Sequence, residues 1–134
     1  QITGKKPNAR NAKKSLRDWG VRKGEPIGIA VTVRGNDATE LLKKLLVVKD
    51  NQIAKKAFDN EGNLSFGIKE HIDIPGIKYD PKIGILGLEV SISLARPGFN
   101  IKFNKSKAKV GKNHRITKND AIKFLTEEFG VKVV

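Results

Sequence analysis

The sequence predicts an α+β fold, an antiparallel-rich sheet with helices packed on one face and with extended basic loops. Three observations predict it. Three segments alternate apolar and small or polar residues with the period of a strand. Two others repeat apolar residues at helical spacing, with capping residues before them. Between them lie long lysine- and arginine-rich stretches broken by Gly, Pro and Asn. A length of 134 residues with 38% hydrophobic content suits a single domain, 1–134, able to bury a core.

Residues 1–24 are basic and carry the turn signals Thr3-Gly4, Pro7-Asn8, Trp19-Gly20 and Lys23-Gly24. Ala12, Leu16 and Trp19 share a helical face, which predicts a short helix between loops. From Pro26 the chain alternates, with Ile27, Ile29, Val31 and Val33 on one side and Gly28, Ala30, Thr32 and Arg34 on the other. This is a strand with one buried face. Asn36 or Asp37 then caps a helix whose stripe is Leu41, Leu42, Leu45, Leu46 and Val48. A connector, 49–62, ends in the turn signal 59–62.

A second strand puts Leu64, Phe66, Ile68, Ile72 and Ile74 on its apolar side. A loop around Tyr79 is framed by Pro75-Gly76 and Asp80-Pro81. A third strand, 85–95, turns Leu86, Leu88, Val90, Ile92 and Leu94 inward. Thr117 to Asp120 forms a capping box that opens a helix packed through Ala121, Ile122, Leu125 and Phe129. Gly130 stops it, and 131–134 adds a short last strand. The chain has no methionine and opens on Gln1 in mid-pattern, which reads as a chain that lacks its native beginning.

Charge is distributed by segment. The net charge is +13, but 16 of the 27 Lys+Arg and only 1 of the 14 acids fall in 5–23 and 96–118. The first stretch carries Lys5, Lys6, Arg10, Lys13, Lys14, Arg17, Arg22 and Lys23 against Asp18 alone. The second carries Arg96, Lys102, Lys105, Lys107, Lys109, Lys112, Arg115 and Lys118 with no acid. A field placed this way implies a polyanion that touches two places. Lysines meet phosphate as mobile point charges, and arginines fork two phosphate oxygens or stack on a base. A membrane surface would require a strongly apolar helical face opposite the cations, and these stretches hold Gly, Pro, Asn and Ser instead. Solvated loops that merely aid solubility are the plainer alternative, but solubility does not require the acids to be removed from these two stretches alone.

No apolar run approaches the roughly 20 residues of a membrane span, and no N-terminal stretch reads as a signal peptide. Without cysteine there is no disulfide framework and no thiolate site. Neither a phosphate-cradling Gly-x-x-x-x-Gly-Lys loop nor a nucleophile elbow is present. Asp59 and Glu61 are too isolated for a paired-carboxylate site. His71 reads as a structural hydrogen bonder, and His114, within the basic stretch, as an RNA or solvent contact. Trp19 is expected in the core in preference to stacking on a base, and Tyr79 is expected to pack. The outward residues Gly28, Ala30, Thr32, Ser65, Gly67, Ser91, Ser93 and Ala95 form a small, hydroxyl-bearing surface. It suits either the shallow minor groove of RNA or a covering helix.

Particular runs of residues resemble a known family. Ile2-Thr3-Gly4-Lys5-Lys6-Pro7, Gly24-Glu25-Pro26-Ile27-Gly28 and Val31-Thr32-Val33-Arg34-Gly35 are similar to the L-five family of large-subunit ribosomal proteins. Phe66 to His71, Tyr79-Asp80-Pro81, Ile83-Gly84-Ile85, Arg96-Pro97-Gly98-Phe99 and Lys112-Asn113-His114-Arg115-Ile116 resemble its archaeal and eukaryotic branch, called L-eleven in eukaryotes. The likeness departs at the start, where the family has a strand of the kind Glu-Lys-Val-Val-x-Asn.

The resemblance implies a structural, non-enzymatic protein of the cytoplasmic ribosome, with no catalytic residue, metal or cofactor. Its implied partners are 5S rRNA, 23S-type rRNA, P-site tRNA, other central-protuberance proteins and a small-subunit head protein, with no membrane. Arg10, Lys13, Lys14 and Arg17 would reach toward tRNA. Lys5, Lys6, Arg22, Lys23 and Arg34 would bind RNA with them, the stretch Lys5 to Lys23 serving tRNA and 5S rRNA. Arg96 and the run Lys102, Lys105, Lys107, Lys109, Lys112, His114 and Arg115 would hold rRNA. Tyr79 and Lys82 would form the inter-subunit bridge. A non-ribosomal RNA-binding or RNA-modifying protein is the alternative, and the absent catalytic motifs argue against the enzyme.

Overall fold

A bulged antiparallel ladder organises the first part of the chain. Strand β1 (Asn8–Asn11) pairs with β2 (Pro26–Ala30), setting Asn8 opposite Ala30, Ala9 opposite Ile29 and Arg10 opposite Gly28. The register shifts between Arg10 and Asn11. The computed structural model describes residues 2–104 and 109–134, and the chain divides into two compact units, Gln1–Leu42 and Lys43–Val134.

In the first unit the expected helix through Ala12, Leu16 and Trp19 does not form. The ladder continues past β1 instead. Ala12 N–H donates to Glu25 O at 2.8 Å, Gly24 N–H donates to Ala12 O at 2.9 Å, and Leu16 and Val21 exchange bonds of 2.9 and 3.1 Å. Cross-hairpin pairing engages the backbone groups a helix would need. The expected buried strand face is also corrected. Strand β2 ends at Ala30, and Ile27 and Ile29 are 62% and 77% exposed, because this two-stranded ladder has no second layer of its own over that face. Ala12 and Leu42 are the buried apolar side chains of this unit among the described residues.

Helix α1 (Asn36–Val47) begins here and runs into the second unit. Ala38 and Thr39 N–H both donate to Gly35 O, so Gly35 (φ +70°) stands at its start, not Asn36 or Asp37. Its stripe buries Leu42, Leu45 and Leu46 as the periodicity predicts. Asp50 and Asn51, both at φ +53°, turn the chain out of the helix.

In the second unit, β3 (Gln52–Ile53) pairs in parallel with β6 (Lys132–Val133). Strand β4 (Leu64–Ile68) pairs antiparallel with β5 (Leu88–Ile92) through Leu64–Ile92, Ser65–Ser91, Phe66–Val90, Gly67–Glu89 and Ile68–Leu88. Both strands are shorter than predicted. A 3-10 turn, His71–Asp73, follows β4, and Ile74 is buried beyond it. Ile85 and Leu86 precede β5 and are more than half exposed. The fold is α+β, its strands arranged among the described residues as three two-stranded sheets, two of them antiparallel.

Short helix α2 (Ile101–Asn104) and helix α3 (Lys118–Phe129) complete the order. Helix α3 opens with the predicted capping box and closes at Gly130, φ +64°. The core of this unit comprises Leu45, Leu46, Ile53, Phe58, Leu64, Ile68, Ile74, Ala121, Leu125 and Val131. No helix among the described residues is long and apolar enough to cross a membrane.

Candidate nucleic-acid interface

The hairpin of the first unit displays its cations on a hydrogen-bonded frame. Arg10 lies over the bare backbone of Gly28, where an added Cβ would sit 3.9 Å from its own. Past the bulge, residues 12–25 narrow to a tight tip. Gly20 (φ +66°) donates its N–H to Arg17 O at 3.1 Å, and a 3-10 turn, Arg17–Trp19, crosses the end. Lys23 N–H donates to Ser15 Oγ at 3.0 Å and Arg22 N–H to Glu25 Oε2 at 2.9 Å, so polar side chains tie the flanks to the frame. Lys6, Arg10, Lys13, Lys14, Arg17, Arg22 and Lys23 are exposed, as is Arg34 beyond β2. Lys5 forms an ion pair with Asp37. No other cation of 5–23 has such a partner among the described residues.

Trp19 is not in the core. It is 81% exposed at the hairpin tip, because a tight turn has no room to fold an indole back beneath itself.

A model of the C-terminus of the ribosomal L-five-P family matches residues 26–124. The chain belongs to the ribosomal L-five-P family. It is similar to the large ribosomal subunit protein uL5 of Nitrosopumilus maritimus, 63% identical over 134 residues, which is 99% of this chain and 78% of that protein. The protein of that name from Cenarchaeum symbiosum is 58% identical over 135 residues (100% and 80%), and that from Pyrobaculum aerophilum 47% over 134 (99% and 75%). The family resemblance and its archaeal branch therefore stand. The first basic stretch precedes the span matched by the family model, but it lies within the length aligned to these relatives.

In the second unit the described parts of the basic stretch, 96–104 and 109–118, are tied down by their own side chains. Arg96 Nη2 reaches Asp120 Oδ2 at 3.4 Å. The N–H at His114 Nε2 donates to Pro97 O at 2.8 Å, and Arg115 Nε donates to Val110 O at 3.2 Å. Lys118 Nζ donates to Phe58 O at 3.3 Å. The ammonium of Lys102 sits 5.4 Å from the Phe99 ring centroid, and Phe99 meets Phe103 edge-on at 6.1 Å. Lys109 and Lys112 are exposed, and Lys105 and Lys107 lie outside the described residues.

Asp120 ties this stretch to α3. Its carboxylate accepts from Thr117 N at 3.1 Å while Thr117 Oγ1 accepts from Asp120 N at 3.3 Å. The Thr117 backbone N–H first, then its hydroxyl, hold the Asp120 carboxyl below its ordinary value of 3.8, with Arg96 and Lys123 adding to the effect. Asp59 is lowered too, first by Asn63 and then by the Glu61 backbone N–H.

Tyr79 is 55% exposed, so the expectation that it packs is corrected. Asp80 organises its loop. Its Oδ1 accepts from Lys82 N at 2.9 Å and its carbonyl from Ile83 and Gly84 N–H, which leaves the side chains of Tyr79 and Lys82 outward. His71 Nδ1 accepts from Leu86 N at 3.2 Å, the structural bond read from the sequence. Of the small outward residues, Gly28, Thr32, Ser65, Gly67, Ser91, Ser93 and Ala95 are exposed, and Ala30 is half-buried. Sequence reading passed over Phe103, which is 74% exposed. The available signal was a pair of phenylalanines in an acid-free basic stretch.

Proposed function

We propose that this chain, a structural constituent of the large ribosomal subunit, binds 5S rRNA and helps build the central protuberance with 23S-type rRNA and neighbouring proteins there. It acts at the cytoplasmic ribosome and carries no catalytic chemistry. The hairpin cations Arg10, Lys13, Lys14 and Arg17 reach toward P-site tRNA. Tyr79 and Lys82, with the exposed Ile83 and Ile85 beside them, contact a protein of the small-subunit head.

One observation carries the reading. Seven of the eight cations in 5–23 are exposed and, among the described residues, without an acidic partner, on a hairpin whose backbone is already paired. A frame of this kind meets a polyanion with little reorganisation, and the binding free energy comes from release of counterions.

Titration of the purified chain with 5S rRNA across a salt series tests it. The expected log–log slope corresponds to several phosphate contacts, and neutralising Arg10, Lys13, Lys14 and Arg17 together lowers it by about three to four if they touch 5S rRNA. If those four serve tRNA, 5S affinity survives while tRNA placement in ribosomes suffers. Binding no stronger to 5S rRNA than to an unrelated RNA of tRNA size refutes the reading.

A further inference from the structure

We infer that Trp19 is a stacking residue for an unpaired nucleobase, the hairpin tip acting as a wedge that a base covers when the flanking cations hold the phosphates. The inference rests on the RNA-binding reading above and adds a contact of a different chemical kind.

The side chain is the most exposed of the large apolar residues among those described, at 81%. Its position is nonetheless determined. Leu16 and Val21 close the tip with two backbone hydrogen bonds, and Gly20 takes the left-handed conformation the turn requires. The indole is therefore held out on an ordered turn and not on a loose tail, which lowers the entropy lost when a partner covers it.

The surroundings select the partner. Lys13, Lys14, Arg17, Arg22 and Lys23 surround the tip in sequence, Asp18 is the one acid, and Leu16, 53% exposed, is the one other large apolar side chain exposed there. A protein groove that accepted the indole through apolar contact would have to accept five cations with it. A nucleic acid meets both requirements at once, with phosphates for the cations and a flat aromatic face for the indole. The face of an indole stacks on any base, so the contact tolerates sequence and selects for a base that is unstacked at an RNA surface.

Trp19 is the only tryptophan of the chain, so its fluorescence reports this contact directly. In the free protein the emission is that of a water-exposed indole, open to acrylamide. The full chain is titrated separately with deacylated tRNA and with 5S rRNA. Strong quenching and acrylamide protection with one of them, or both, support stacking and identify the RNA that supplies the base. Trp19→Phe then binds that RNA nearly as wild type, whereas Trp19→Leu binds it about 5- to 100-fold more weakly with an unchanged salt slope. Wild-type binding with an unquenched indole and an undiminished Trp19→Leu variant overturns this inference and leaves RNA binding intact. Loss of affinity in both variants, together with loss of the hairpin's amide signals, also overturns it, in favour of a folding role. Failure of the wild-type chain to bind either RNA overturns both readings.

Discussion

The hairpin of Gln1–Leu42 and the basic stretch of Lys43–Val134 hold cations in place by different means. In the first, cross-strand backbone bonds do the work and the apolar strand residues Ile27 and Ile29 stay in water. In the second, the stretch leads into α3, which contributes Ala121 and Leu125 to a true core, and its described parts are pinned by Arg96, His114, Arg115 and Lys118 side chains. The consequence concerns availability. A ladder leaves side chains free for a ligand, whereas a stretch pinned by its own cations has fewer to offer. Lys109 and Lys112 are the uncommitted cations of its described part, with Lys102 already placed against Phe99.

The sharpest way to break this contrast is to truncate apolar residues in each unit. Leu125→Ala, at 0% exposure, is expected to lower unfolding free energy by about 2–5 kcal/mol. Ile29→Ala, at 77% exposure, should change it by less than about 0.5 kcal/mol. Urea unfolding of the two variants measures both, and equal losses would show that the hairpin too depends on burial.

Gly62→Ala comes next. An added Cβ would stand 2.6 Å from Ile116 Cγ2, at a φ of +75° that disfavours any side chain. The clash and the backbone strain together should cost about 2–4 kcal/mol. Because Ile116 precedes the cap of α3, thermal unfolding should show the loss and NMR should show shifts at 116–120. An undisturbed variant would mean that this turn does not brace the second stretch.

Removing the cap sharpens the comparison further. Thr117→Ala is expected to cost about 1 kcal/mol. Its partner Asp120 titrates lower in the folded chain than its ordinary 3.8, so the stability it contributes is present above about pH 4. That contribution is lost as pH falls through the depressed folded value. Asp120→Asn should therefore flatten the acid limb of a stability–pH profile and leave RNA binding by the hairpin unchanged. The smallest effect belongs to Lys5→Gln. Its ion pair with Asp37 lies between half-exposed side chains, and a shift below about 0.5 kcal/mol in unfolding is expected.

Much of the strictly local chemistry was legible. The stripe of α1 through Leu46, the capping box of Thr117 and Asp120, the Gly130 stop and the alternation over Leu64–Ile68 appear as read. The first basic stretch was misread because Ala12, Leu16 and Trp19 fall at spacings of four and three, which a hairpin with a bulge and a turn can also produce. The parallel pairing of β3 with β6 joins residues about 80 apart through two positions each, too short for any periodicity to register.

By itself the sequence determined where charge is concentrated, where α3 begins and stops and which residues of β4 alternate, because these depend on composition and near neighbours. Only the tertiary structure decided that Trp19 and Ile29 face water, and that Arg96 and His114 bind within the chain. Exposure and hydrogen-bond partners are set by residues distant in sequence, and a side chain carries no mark of which distant atoms will reach it.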